Sequence, residues 1–493
     1  MKLTITKLIA TFLLLGSFAA CREEKGIVPE PPVPPLRLSQ DTVRMMPGAI
    51  RKLQLTDGSG TYTLIPPVEA IVKAVIEGEE LTIEALAPGS GELQVLDDKT
   101  KQKATLGITV LPPPEPVLPA SVNVRDGVLL SWPAGDLPES GIVELPSSVT
   151  AIGNGVFKET SIREIKLPAT LKRIGEDAFA YCNNLVKVSL PEGVTEIGQS
   201  AFYQCHALET LILPASIDTM APNAFASCDK LKEITLTEGL KVLGESAFYG
   251  CTALEQVKLP NSLTKLGDNA FNGCIGLLEI SLPDNLEVIK NTTFAGCSAL
   301  IDVKLPAKLK HIGRYAFKNC VFLKKVEFPQ AVDTVEAGAF SGCSALTRVV
   351  LPVAIKEIQA STFENCSKLT EVVFPEGHKI TQIGIKAFAS CTGLVRIVLP
   401  EGVTEINNMA FQNSTALEEV DLPSTLKSIK LNAFVGCQSL KKVISRATTP
   451  PTLTGNVFNR TATTKELQVP AAAKAAYQGA NNWNRFTSIT QLD

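Results

Sequence analysis

Aromatic platforms, histidines and net charge are all scarce in this sequence. Two Trp and six Tyr are spread over 493 residues, a thin supply of stacking surfaces. The three His (His206, His311 and His378) are scattered, and no two of them have metal-ligand spacing. The formal net charge is −3, so no basic field draws the chain to nucleic acid or to an anionic membrane surface. The apolar run Leu8 to Leu15 is shorter than the roughly 20 residues a permanent membrane helix needs. The sequence offers no nucleophile–base pair, no phosphate loop and no metal cluster, and its many Glu fall at repeat-equivalent surface positions. The expectation is a protein with no enzymatic activity, no cofactor and no metal.

What the N-terminus does have is an export layout. In MKLTITKLIATFLLLGSFAAC, Lys2 and Lys7 precede the apolar run, and small residues follow it, as in a secretory signal over residues 1–20. Phe18-Ala19-Ala20-Cys21 resembles a bacterial lipobox. That resemblance implies cleavage before Cys21 and lipidation of Cys21, so that the only membrane attachment is an acyl anchor. Arg22-Glu23-Glu24 resembles the surface-export signal of Bacteroidetes lipoproteins, which implies display on the outer face of the outer membrane. VPEPPVPP (residues 28–35) ends the anchor segment, 21–35, as a semi-rigid polyproline spacer.

Residues 36–111 contain short alternating apolar runs such as KLQLT, LTIEAL and LGITV, separated by Gly, Pro and Asp. They predict a small all-β sandwich. LTIEALAPGSGELQVLDDKTKQKATLGITV resembles the bacterial Ig-like, Big2-type module, and the implied role is a stalk. PPPEPVLPA opens a proline-rich linker and N-terminal cap over residues 112–140.

From residue 141 to 445 the sequence repeats. REIKLPATLKRIGEDAFAYCNNL is followed by VKVSLPEGVTEIGQSAFYQCHAL, and so on with a period of 23. Cysteine returns at Cys182, Cys205, Cys228, Cys251, Cys274, Cys297, Cys320, Cys343 and Cys366, then at Cys391 after two extra residues, with Ser414 in the next place and Cys437 last. One such turn cannot bury its own apolar face, so the turns must stack. Leu211 and Leu213 alternate inward as a strand requires, Pro214 ends the strand without wasting a donor, and Phe202 and its equivalents fill the opposite wall.

The pattern L-x-x-V-x-L-P-x-x-L-x-x-I-G-x-x-A-F-x-x-C resembles the leucine-rich repeats of the BspA type. The resemblance implies a repeat solenoid of parallel β-strands with a short helical or irregular convex side, usually on microbial surfaces. Residues 446–493 break the period and resemble the segment that caps such arrays, with Tyr477, Trp483 and Phe486 as its aromatic content.

Equivalent cysteines on neighbouring turns are expected about 4.8 Å apart, but with side-by-side Cβ vectors that suit bridging poorly. The column therefore reads as a buried thiol ladder that fills the core and satisfies backbone groups, with Ser414 as a hydroxyl equivalent. The alternative is a metal or redox array, which the column lacks His or carboxylate ligands to build.

The exposed positions of the strand that the solenoid turns toward its concave side run from Glu164 and Lys166 to Glu419 and Asp421. Most are mixed and polar. Val350, Val373 and Val398 form an apolar stripe there, beside Arg348, Glu371 and Arg396. An apolar stripe with a charged rim fits a protein-binding surface, and the two extra residues fall in the same turns. The alternative is the ordinary preference of Val for strands. Tyr181, Tyr203 and Tyr249 are candidates for a small aromatic strip on a turn edge. The functional expectation is a surface lipoprotein that adheres to a protein ligand on host or neighbouring cells. The alternatives are a glycan-binding lipoprotein of an uptake system and a purely structural envelope protein. No nucleic-acid partner is expected.

Overall fold

The computed structural model describes residues 34–65 and 71–492. The predicted signal segment, Cys21 and most of the first proline spacer lie outside the described residues. The chain forms two compact units, divided between Pro114 and Glu115.

The first unit is a small β domain of two four-stranded sheets. One orders Arg37–Leu38, Ile50–Thr56, Glu80–Ala85 and Val72–Glu77, all antiparallel. The other orders Thr42–Met45, Lys103–Val110, Gly89–Asp97 and Tyr62–Ile65, and its Thr42–Met45 edge runs parallel to its neighbour. Alternation in the sequence becomes alternation in burial. Leu81 and Ile83 of one sheet and Leu93, Val95 and Leu106 of the other are fully buried in one core, the packing expected of two sheets face to face. Asp97 is buried at the end of its strand and holds a turn together. Its carboxylate accepts the backbone N–H groups of Ser59, Lys99 and Thr100 at 2.5, 2.9 and 2.9 Å, and the Ser59 hydroxyl at 2.8 Å. These donors hold its pKa far below the usual carboxylate range, against the opposing effect of burial.

The second unit is a parallel β-solenoid of about 16 turns with almost no helix. Each turn contributes two short strands. In one turn these are Thr210–Ile212, which buries only Leu211, and Thr219–Met220, which buries Met220. The first strands stack into one sheet face and the second strands into another, each pairing in parallel with the equivalent strand of the next turn. Leu213, Ile217, Ala224 and Phe225 complete the buried wall. The chain turns its corners through left-handed residues, for instance Asn223 (φ 55°) and Ser227 (φ 58°). Asn, Asp and Gly recur at these two places because they adopt that conformation most readily, and Ser, Tyr315, Lys386 and Met409 are held in it by the stacked turns.

Register follows the sequence period. Glu164 opposes Lys187, 23 residues on, and Glu357 opposes Gln382, 25 residues on. The two extra residues are absorbed in the loop between Glu371–Val373 and Gln382–Ile383, around Gly377 and His378, so the second ladder stays in register. The first ladder is interrupted between Glu371–Val373 and Arg396–Val398, but it is also interrupted elsewhere, so the interruption is not peculiar to the insertion.

Fourteen phenylalanines, Phe157 to Phe458, stack through the core with neighbouring centroids 5.0 to 5.9 Å apart and ring planes within 16°. Each buried ring contributes about 2 kcal/mol of apolar transfer. Both ends of the column are covered. Trp132 lies 5.7 Å from Phe157, and Phe486 and Trp483 pack on Phe458 at 5.3 and 5.8 Å. Helix Lys474–Gly479 brings in Tyr477, which donates to Ala447 O (3.0 Å) and shares a 2.6 Å bond with Ser445 Oγ. The Trp483 indole N–H donates to Pro451 O at 2.8 Å. Helix among the described residues is otherwise limited to three short 3₁₀ turns, at Ala134–Asp136, Ala471–Ala473 and Trp483–Arg485.

Candidate functional site: the face of the first strands

The cysteine column lies inside the solenoid. All eleven thiols from Cys182 to Cys437 are free and buried. Each Sγ donates to the carbonyl of the phenylalanine one turn back, as in Cys205 to Phe179 O (3.2 Å) and Cys274 to Phe248 O (3.1 Å). Ser414 does the same, with a 2.9 Å bond to Phe388 O. Desolvation pushes the Cys251 and Cys297 thiols up to about 12, so the thiolate that a nucleophile or metal ligand needs is suppressed. The column has two further members. Thr160 and Thr461 stand three residues after Phe157 and Phe458, in the cysteine place, and each donates to its own turn's Phe carbonyl at 2.7 and 2.8 Å. The constant three-residue offset from Phe was the available signal for them.

Among the described residues no group of three His, Cys, Asp or Glu could hold a metal ion. His206 lies 2.7 Å from Asp229, and His311 lies 3.0 Å from Glu336, each pairing with one acid of the following turn. His378 Nδ1 accepts the Ile380 N–H within its own loop.

The first strands expose their outer positions along the solenoid, and most are polar. Ile212, 64 % exposed, is an isolated apolar residue in that column. Val350 (37 % exposed) and Val398 (45 % exposed) project from Arg348–Val350 and Arg396–Val398, and Val373 between them is half-buried. Val350 and Val373 are register partners, but no ladder joins Val373 to Val398; the partner of Val398 is Asp421. The charged residues beside them do not form one rim. Arg348 Nε pairs with Glu371 at 2.8 Å, and Arg396 Nε pairs with Glu419 at 2.7 Å, so the row resolves into two ion pairs. Beyond Val398 the stripe ends at Asp421, which is 2 % exposed and held by the Arg446 guanidinium through two 2.8 Å bonds.

Val350 belongs to a larger feature that the stripe does not describe. A groove of about 440 Å³ opens over the turns of Cys320 and Cys343. Phe328, Val350, Val353 (43 % exposed) and Pro375 give it apolar walls, and Lys324 and Arg348 flank it. Phe328 takes the place where most turns have the buried Leu of Leu-Pro. Its ring meets Phe340 edge-on at 5.6 Å and remains half-buried. Phe374, in the turn that carries the insertion, makes the same replacement, and Pro375 after it forms the groove's far wall. The replacement of Leu-Pro by Phe-Pro at 328 and 374 was the sequence signal for this groove.

The tyrosines make only a pair. Tyr181 and Tyr203 meet edge to face at 5.3 Å, with the Lys158 ammonium 5.8 Å from the Tyr181 ring centre. No helix among the described residues is long and apolar enough to cross a membrane.

Comparison with known proteins matches these features. The model for the BspA type leucine rich repeat region, in six copies, matches residues 150–278, 264–380 and 357–485. A leucine-rich repeat protein of Bacteroides ovatus is 28 % identical, covering 77 % of this chain and 98 % of its own, with a TM-score of 0.58. A leucine rich cell surface protein of Faecalibacterium prausnitzii is 26 % identical, covering 67 % of this chain and 94 % of its own, with a TM-score of 0.49. No protein of curated function matches the chain.

Proposed function

This chain belongs to the BspA type leucine-rich repeat family, and from that premise we propose that it is a lipid-anchored, non-enzymatic adhesion protein of the bacterial surface. Cys21 carries the acyl anchor in the outer membrane, the proline spacers set the units off from it, and the first unit is an Ig-like stalk. The solenoid captures a protein ligand on a host or neighbouring cell through its concave face, at the turns around Val350.

The groove beside Val350 carries this reading. The exposed Val350 and Val353 and the half-buried Phe328 line one recess, while most outward positions of the first strands are polar. An apolar patch with a polar, charged rim fits a protein-binding surface. Lys324, Glu327 and Arg348 beside the groove favour a partner with charges of its own.

Two measurements test it. Protease shaving or antibody labelling of intact cells reads surface display, and substitution of Cys21 with Ala abolishes it if Cys21 is the anchor. Binding of the full chain to arrays of matrix proteins and of polysaccharides reads ligand class. Capture of a polysaccharide and of no protein would sink the protein-adhesion reading.

A further inference from the structure

The C-terminal cap holds a second recess, separate from the strand-face groove. It is a small cavity of about 140 Å³ where the loop after the last repeat meets the turn before the final strand. Phe458, the last ring of the phenylalanine stack, forms part of its apolar side. Asn456, Asn459 and Asn482 contribute amides, and Lys465 and Arg485 contribute two positive charges. None of the residues that line it is acidic.

Two cations and no carboxylate thus line one recess. Some cations elsewhere lie against carboxylates, as Lys158 does with Asp177 and Arg446 with Asp421. Lys465 is half-buried, and its Nζ donates to the Thr461 hydroxyl at 3.0 Å. Neither Lys465 nor Arg485 makes an ion pair among the described residues. Burial alone acts on the Lys465 ammonium and lowers its pKa, with no carboxylate to offset it. A partly desolvated cation without a counter-ion costs free energy that an incoming anion recovers. Thr461 is itself fixed by its bond to Phe458 O, so the ammonium is held in place.

We propose that this recess is a binding site for a small oxyanion, a carboxylate or a phosphate, held between Lys465 and Arg485 with the asparagine amides bonding the rest of the group. The ammonium supplies up to three donors and the guanidinium a planar fork suited to two oxygens. The volume admits the charged end of a sugar acid or a free phosphate, and not a folded partner. The site is independent of the adhesion reading, which concerns a different part of the solenoid.

The test is the thermal midpoint of the full chain with inorganic phosphate, glucuronate or glucose, each against chloride at matched ionic strength. It is run on the wild type, Lys465→Met and Arg485→Gln. Arg485 is exposed, so its substitution leaves the fold intact even if Lys465→Met does not. The expected result is a rise of about 2 °C or more with an anion and none with glucose. The rise is lost in Lys465→Met and at least halved in Arg485→Gln. A response to phosphate alone assigns a free phosphate, and one to glucuronate alone assigns a carboxylate-bearing sugar. No rise with either anion, an equal rise with glucose, or an undiminished rise in Arg485→Gln would overturn the proposal.

Discussion

The Cys251 thiol donates to the carbonyl oxygen of Phe225, 3.2 Å away on the preceding turn. The bond fixes what the cysteine is for. It joins two turns at a place where the backbone bends and a buried carbonyl has no ladder partner. The Phe225 N–H already donates forward to Ala247 O at 3.0 Å, so both peptide groups of the stacked phenylalanine are tied to the next turn.

Replacing Cys251 with Ser should therefore be nearly neutral, since Ser414 makes the equivalent bond at 2.9 Å. Replacing it with Ala removes the donor and leaves Phe225 O buried and unpaired, at a cost of about 1–3 kcal/mol. Denaturant unfolding midpoints check this. Equal losses for Ser and Ala would mean that only volume matters at the site.

The thiols also make the protein alkali-sensitive. The folded-state values of Cys251, Cys297, Cys366 and Cys437 are pushed up to about 12 by burial, against about 8.5 in an unfolded chain. As pH rises past the unfolded value, the unfolded state gives up protons first. Stability is thus full below about pH 8.5 and falls toward pH 12, by up to ~1.4 kcal/mol per thiol per pH unit. Melts between pH 7 and 11 should show the decline, and a variant with several column cysteines changed to Ser should show less of it. Native protein at neutral pH should leave all eleven column thiols unlabelled by maleimide, and a labelled Cys21 would refute its acylation.

Asp97 predicts the opposite slope. Its pKa is held down by bonds from Ser59, Lys99 and Thr100, so its contribution is present above the ordinary carboxylate pKa of about 3.9 and is lost as pH falls through the folded value. In Asp97→Asn one acceptor oxygen becomes a donor that faces N–H groups. The amides of Ser59, Lys99 and Thr100 should exchange with solvent at least tenfold faster in that variant, and unchanged protection would show that the turn holds without the charge.

Arg446→Ala should cost about 3 kcal/mol, because it leaves the Asp421 carboxylate buried without its bidentate partner. Adding Asp421→Val should recover most of the loss, since the neighbouring register partners are Val398 and Ile444. A double variant as unstable as Arg446→Ala alone would mean that the charge at 421 is not what destabilises the single one.

The solenoid was legible in the sequence because its period is one turn. A residue every 23 places fixes which side chains stack, so the Phe column, the Cys column and the outward positions of the first strands could be assigned before any coordinates. The pairing of Arg348 with Glu371 was less legible, since column membership does not decide which neighbour a flexible side chain chooses. Thr160 and Thr461 are hard to recognise in the sequence because the residues around them depart from the repeat while only the offset from Phe persists. The groove at Val350 depends on how far Phe328 projects when it replaces Leu, which is a packing outcome. The cap recess depends on chain segments that no periodicity relates, 455–465 and 482–486.

The central claim is that the solenoid binds its partner at the groove beside Val350. The most direct test is quantitative binding of the full chain to the protein ligand found on the array, for the wild type, Val350→Glu and Ile212→Glu. Both substitutions put a charge at an exposed position of the same strand column, so each should leave the thermal midpoint unchanged. The account predicts a loss of at least tenfold in affinity for Val350→Glu and none for Ile212→Glu. Undiminished binding by Val350→Glu, or an equal loss in Ile212→Glu, would contradict it.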